Sequence, residues 1–220
     1  MWNCRKVFVL AVWLTAVAPA QEKPALESDP QGWVDLMPDE SFAGWTRLPI
    51  PPSAALQPTL QWKVDKPGGI LICEGNGGHE MLRYDKPLAN FILHVEWRFT
   101  RIAGDKPRYN SGILIRNSPL GEIWHQAQTG DGFGYLFGDT LVEGALQRIS
   151  TSKEVKSRTV KPAGEWNSYE IHCRGDRIAL WVNGAWNSEL TKVPLRKGHI
   201  ALEAEGYRIE FRSLKLKELP

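Results

Sequence analysis

The sequence predicts an all-β fold, a two-sheet antiparallel sandwich of the jelly-roll type, on three observations. Apolar and polar residues alternate with period two in several short runs, the signature of strands with one buried face. Turn formers recur at short intervals, with 20 glycines and 15 prolines in 220 residues, which cuts the chain into short elements. No long amphipathic helical pattern appears, and about a dozen short strands joined by turns pack most simply as two facing sheets.

In chain order, strand-like runs cover 62–64, 69–74 and 81–84. The clearest alternation follows: Phe91, Leu93, Val95, Trp97 and Phe99 share one side, and Ile92, His94, Glu96, Arg98 and Thr100 share the other. Runs at 112–116, 124–128 and 135–137 come next. Residues 140–161 are less patterned and more basic, and read as a long loop of the kind that borders sites in sandwiches. Between 166 and 174, Tyr169, Ile171 and Cys173 oppose Glu170, His172 and Arg174. Gly175-Asp176 and Asn183-Gly184 are hairpin signals on either side of a run at 177–182, with Ala185-Trp186 beyond. The last strands are expected at 199–205 and 208–216.

The first twenty residues read as an export signal. Arg5 and Lys6 precede an apolar run from Val7 to Val17, and Ala18-Pro19-Ala20 offers a small-x-small cleavage site. The run is short for a membrane span, and Cys4 precedes it, so it is not a lipid-acceptor cysteine. The expected mature chain starts near Gln21, with a polar, flexible leader over 21–31 and one domain over 32–220, secreted or periplasmic. Cys73 and Cys173 would then remain, as a disulfide or as two buried thiols. A net charge of +2, with acids and bases interspersed, gives no footprint for nucleic acid, and no stretch beyond the signal suits stable membrane insertion. The ten tryptophans stand out. Most are expected in the core, but an indole face also stacks on a pyranose.

Further residues carry a resemblance. Phe42-Ala43-Gly44-Trp45, Trp62-Lys63-Val64, Gly69-Ile70-Leu71, the run from Asn90 to Arg98, Asn110-Ser111-Gly112-Ile113 with Arg116, Pro162 to Asn167, Asn183-Gly184 and Ile209-Glu210-Phe211-Arg212 occur in that order. From Gly32 onward the chain resembles the 3-keto-disaccharide hydrolase domain family. The resemblance implies a concanavalin A-like lectin/glucanase sandwich, a secreted bacterial glycan-processing protein and cleavage of glycosides oxidised to a ketone at carbon 3. One departure is visible: relatives usually carry Glu-x-Gln on the strand after Asn-Ser-Gly-Ile, and this chain reads Gln126-Ala127-Gln128.

A ketone at carbon 3 acidifies the hydrogen on carbon 2. The chemistry therefore needs a base, an acid for the leaving oxygen and a group that stabilises the enolate. The expected catalytic residues are Glu96 or Glu205 as base, with Arg98 and Arg116 as fixed cationic forks for the ketone oxygen. Gln126, Gln128, Trp124, Asn110 and His94 are the expected substrate contacts. Glu96, Arg98, Arg116 and Glu205 are expected to gather around one hollow on the polar side of the sandwich. The plainer alternative makes Glu96, Arg98 and Arg116 a cross-strand ion-pair ladder. His79 and His125 read as isolated histidines with no site role. No cofactor is expected, because no Cys/His cluster has ligand spacing. Calcium stays open, although Asp131 and Asp139 read better as turn residues. The partner is a carbohydrate or modified glycoside, and the competing function is a lectin-like binding module on the same fold, which the amide at 126 favours. An enzyme would show a carboxylate and an arginine converging in a closed pocket. A lectin would show a shallow aromatic groove with no carboxylate at its floor.

Overall fold

The structure is a computed structural model that describes residues 24–104, 107–130, 134–155 and 159–220; the segment expected to be an export signal and Asp131 lie outside them. The described residues form one short helix, α1 (Ala25–Ser28), and strands β1 (Val34–Asp35), β2 (Trp45–Pro49), β3 (Trp62–Asp65), β4 (Ile70–Cys73), β5 (Glu80–Tyr84), β6 (Phe91–Phe99), β7 (Asn110–Asn117), β8 (Trp124–Gly130), β9 (Leu136–Val142), β10 (Ala145–Ser150), β11 (Asn167–Arg174), β12 (Arg177–Val182), β13 (Ala185–Leu190), β14 (His199–Ala204) and β15 (Ile209–Glu218). They make two antiparallel sheets. The first runs β13-β12-β11-β6-β15-β4-β3, with β1 also on β15, and the second runs β10-β9-β8-β7-β14-β5-β2. This is the jelly-roll sandwich that the alternation predicts.

The core lies where the periodicity puts it. Phe91, Leu93, Val95, Trp97 and Phe99 of the first sheet are buried against Ile113, Ile115, Ala127, Leu202 and Ala204 of the second. Tyr169 of β11 crosses the interior, packs edge-on against Trp97 at 5.3 Å and donates its hydroxyl to the Gln128 carbonyl oxygen at 2.5 Å. One buried hydrogen bond thus ties the first sheet to the strand that carries Gln126 and Gln128. Cys73 and Cys173 are buried free thiols, each pushed up to about 12 by burial. They sit on β4 and β11, which are three strand spacings apart in the first sheet, or roughly 14 Å, beyond the reach of a disulfide.

Three segments differ from the sequence expectation. Thr140 and Leu141 continue β9, and β10 follows as its hairpin partner, where the sequence predicts a long loop. The connection Glu143-Gly144 has φ of 52° and 82°, as a type I′ turn requires, but glutamate is not a residue that announces one. Ala145 to Arg148 are all exposed, so β10 has no buried face to create alternation. Strand β2 is an edge strand ending in Pro49 and carries a weak pattern for the same reason. The leader carries a turn of helix and is tied to the first sheet: the Ala25 N–H donates to Glu170 at 2.7 Å, and Lys217 pairs with Asp29.

Candidate active site

The site is built on the outward face of the second sheet. Along β14, Ile200, Leu202 and Ala204 point into the core, so Ala201, Glu203 and, just past the strand, Glu205 point out. The neighbouring β7 is in register with β14 through Ala201↔Leu114 and Leu202↔Ile113. On its other side β7 pairs with β8 through Gly112↔Gln128 and Leu114↔Gln126. Gly112 therefore stands between Gln128 and Glu203. A Cβ at 112 would lie 2.0 Å from Gln126 Nε2 and 2.2 Å from its Cδ. The missing side chain is what lets Gln126 lie across β7 and reach the next strand.

The polar groups form one continuous chain. Gln126 Nε2 donates to Glu203 Oε2 at 3.0 Å and to Gln128 Oε1 at 3.2 Å. Gln128 Nε2 donates to Asn110 Oδ1 at 2.6 Å, and Asn110 Nδ2 donates to Glu205 Oε2. Carboxylates accept only, so the acids at the two ends fix the direction of every amide between them. His79, on the turn that leads into β5, closes the chain: its Nε2 is 2.8 Å from Glu203 Oε1 and 4.0 Å from Glu205 Oε2. Glu203 and Gln126 are buried at 5% and 3% exposure. The side chains of His79 and Glu205 are each 36% exposed and face the opening.

These groups lie on the floor and side of a hollow of about 290 Å³. Trp124 and Phe137, edge to face at 5.2 Å, form one wall, and Ile50, Pro51 and Pro52 form the other, with Met81 and Leu114 as apolar floor. The hydrogen bond to Glu203 raises the pKa of His79 above its ordinary value, outweighing burial. Burial first, then the Glu203 charge, raises the pKa of Glu205; the nearby His79 and the Asn110 hydrogen bond oppose the rise. The site thus holds a carboxylate made more basic than usual beside an imidazole that keeps its proton longer than usual, the pairing expected of a general base and a general acid.

Five of the sequence-predicted residues share this hollow: Glu205, Asn110, Trp124, Gln126 and Gln128. The expected convergence of Glu96, Arg98 and Arg116 on Glu205 is corrected by the structure. Glu96 and Arg98 lie on β6 in the first sheet, whose outward face points away from the second. There Glu96 pairs with Arg212 at 2.6 Å and Arg98 with Glu210 at 2.7 Å, in register across β6 and β15. The guanidinium groups of Arg98 and Arg212 also lie against the Trp166 ring, at 4.5 Å and 4.0 Å from its centroid respectively. This is the cross-strand ladder of the plainer alternative. Arg116 is no part of that ladder: it adopts a φ of 49° at the end of β7, is fully buried and donates to the carbonyls of Ala89 at 2.7 Å and Gly175 at 2.6 Å. It joins loops and faces no solvent. His94 is buried on the first sheet, 3.9 Å from Glu96, with its pKa lowered by burial, and does not reach the hollow. His125 points into the interior, and burial brings its pKa down to about 4.

His79 and Glu203 are the members that sequence reasoning missed. His79 follows Gly77-Gly78 in an irregular turn with no periodicity to orient it. Glu203 shows the same alternation as Glu205, but only the register of β14 beside β7 puts it next to Gln126. The departure at 126 also finds a physical counterpart: the amide there is bonded to an acid, Glu203, supplied by β14 on the far side of β7. No arginine lines the hollow among the described residues, and His79 is the lining side chain that can take up a positive charge. The donor atoms of His79, Glu203 and Glu205 lie within 4.8 Å of one another, close enough for one divalent cation to bridge them. Asp139, considered for calcium, pairs with Arg148.

Comparison with known proteins places this geometry in context. The sequence profile of the family described as 3-keto-alpha-glucoside-1,2-lyase-like domain matches residues 32–217. No curated protein matches the sequence significantly. Among solved structures, the chain is similar to a proposed glycosyl hydrolase from Parabacteroides distasonis ATCC 8503, with a TM-score of 0.60 and 17% identity over 88% of this chain and 97% of that one. It is also similar to the carbohydrate-binding module CBM66 from Bacillus subtilis, with a TM-score of 0.57 and 12% identity over 78% and 94%. A Bacillus licheniformis beta-glucanase aligns with a TM-score of 0.51 and 10% identity over 80% and 92%. At these identities the shared feature is the concanavalin A-like jelly-roll fold.

Proposed function

Because this chain belongs to the family of 3-keto-alpha-glucoside-1,2-lyase-like domains, we propose that it cleaves glycosides bearing a ketone at carbon 3, by elimination across carbons 1 and 2, in the hollow of the second sheet. The observation that carries the reading is the pairing of Glu205 with His79, 4.0 Å apart at the mouth of the hollow and shifted in pKa to suit a base and an acid. Glu205 takes the proton from carbon 2. The electron pair of that bond becomes the carbon 1–carbon 2 double bond, conjugated with the ketone, and the carbon 1–oxygen bond breaks. The leaving oxygen takes the His79 proton. Water adding across the new double bond would complete a net hydrolysis. Glu203 holds the imidazole charged and oriented, as the carboxylate partner of a catalytic histidine does, and Gln126, Gln128 and Asn110 offer the remaining polar contacts to sugar hydroxyls. The export signal ending near Ala20 would put this reaction in the periplasm or outside the cell.

Two carboxylates lining the hollow weigh against a module that only binds sugar, even though the fold serves such modules too. A second reading rests on the same trio. A divalent cation held by His79, Glu203 and Glu205 would polarise the ketone oxygen as a Lewis acid. Turnover lost on dialysis against a chelator and restored by one divalent ion selects that reading, and unchanged turnover selects the proton on His79.

The test is to incubate the purified protein with a 3-keto disaccharide and with the same disaccharide unoxidised, following released sugar. The oxidised substrate alone should be cleaved; equal release from both would remove the carbon 2 route. The pH profile follows from the two shifts. Activity needs Glu205 ionised and His79 protonated. The acid limb of kcat/KM should therefore fall above the usual glutamate pKa, and the alkaline limb above the usual histidine pKa. A flat profile across that window would break the assignment.

A further inference from the structure

The aromatic wall of the hollow continues beyond it. Phe137 on β9 is joined by Tyr135, just before that strand and beside Gln128, with ring centroids 5.3 Å apart. The hairpin strand β10 brings Arg148 over the Trp124 end of this row, its Cζ 5.0 Å from the Trp124 centroid and 5.6 Å from that of Phe137. Arg148 stands opposite Asp139 in the β9–β10 register and pairs with it through Nε and through Nη2, the latter at 3.0 Å. Its Nη1 has no protein acceptor among the described residues, and its side chain is 58% exposed. A fork anchored on one edge and open on the other, above an aromatic ledge, is a built surface for a hydroxylated ring.

The size of the hollow says which ring. About 290 Å³ is at the lower end for a small-molecule site, which spans roughly 300–1,000 Å³. The oxidised ring must occupy it, because carbons 1 and 2 have to meet Glu205 and His79. The second ring of a glycoside therefore leaves by an open side. The wall of Ile50, Pro51 and Pro52 presents no side-chain donors, whereas the opposite wall leads onto Phe137, Tyr135 and the free edge of Arg148. Asp139 neutralises Arg148, and the neighbouring hollow carries Glu203 and Glu205, so the surface favours a neutral ring over an anionic one.

We propose that Tyr135, Phe137 and Arg148 form the leaving-group subsite, taking a neutral sugar ring whose apolar face lies on the aromatic ledge and whose hydroxyls accept from Arg148. The proposal rests on the elimination reading of the hollow, which puts the oxidised ring inside it. The test compares Arg148→Ala with the wild type on 3-keto maltose and on methyl 3-keto-α-glucoside, which share the oxidised ring and differ in leaving group. Loss of one charge-assisted contact should lower kcat/KM for the disaccharide about tenfold and leave the methyl glycoside within about twofold. An equal fall on both substrates, or on neither, overturns the subsite while the elimination reading stands. Calorimetry with unoxidised maltose and methyl α-glucoside tests the surface without chemistry. The wild type should bind maltose the tighter, and Arg148→Ala should abolish the difference. Equal affinities in the wild type overturn the subsite even if no 3-keto substrate is turned over, a result that would by itself end the elimination reading.

Discussion

Replacing Gly112 by alanine lowers turnover of a 3-keto glycoside at least about 100-fold while the sandwich still assembles. The new methyl would lie 2.0 Å from Gln126 Nε2, so the amide must leave the space over β7 and give up Glu203. Displacement of the group that orients a catalytic acid and its partner by an ångström or more costs on the order of 10² in rate. Overpacking of this kind costs about 1–3 kcal/mol, within what a domain of this size tolerates. Circular dichroism and thermal melting report the fold separately from kcat/KM. Turnover within a few-fold of wild type would mean that the reach of Gln126 across β7 is not part of the machinery.

Glu205→Gln should lower kcat by about 10³, in the range that general-base catalysis contributes. The amide keeps the shape of the side chain, and its oxygen still accepts from Asn110, so stability should barely move. The acid limb of the pH profile should vanish with the carboxylate. Glu96→Gln is the matched control, since Glu96 lies in the Arg212 pair on the other sheet, and its kcat should stay within about threefold of wild type. A Glu205→Gln variant with full turnover removes this residue as the base.

How far the sequence reads depends on which contacts are local. The alternation along β6 identifies Phe91, Leu93, Val95, Trp97 and Phe99 as core because burial selects every second residue. Asn110, Gln126, Gln128 and Trp124 come together because β7 and β8 are consecutive strands of one hairpin. Period two separates inward from outward but does not say which of two sheets a strand joins. Glu96 and Arg98 point outward as their alternation requires, yet from the opposite side of the molecule to Glu205. Glu203 and Glu205 reach the site through the pairing of β14 with β7, strands separated by about eighty residues that hold β8 through β13, and no local pattern encodes that register. Arg116 departs from alternation because its positive φ swings the side chain inward. His79 sits on a turn where periodicity has nothing to say.

The proton on carbon 2 offers the most direct test. Wild-type protein is mixed in a single turnover with a 3-keto disaccharide carrying deuterium at carbon 2, and with its protium counterpart. The Glu205 and His79 arrangement predicts that cleavage of the deuterated sugar is several-fold slower, with the label lost from the product. Equal rates with the deuterium retained at carbon 2 would contradict it, because the bond said to break would have stayed intact.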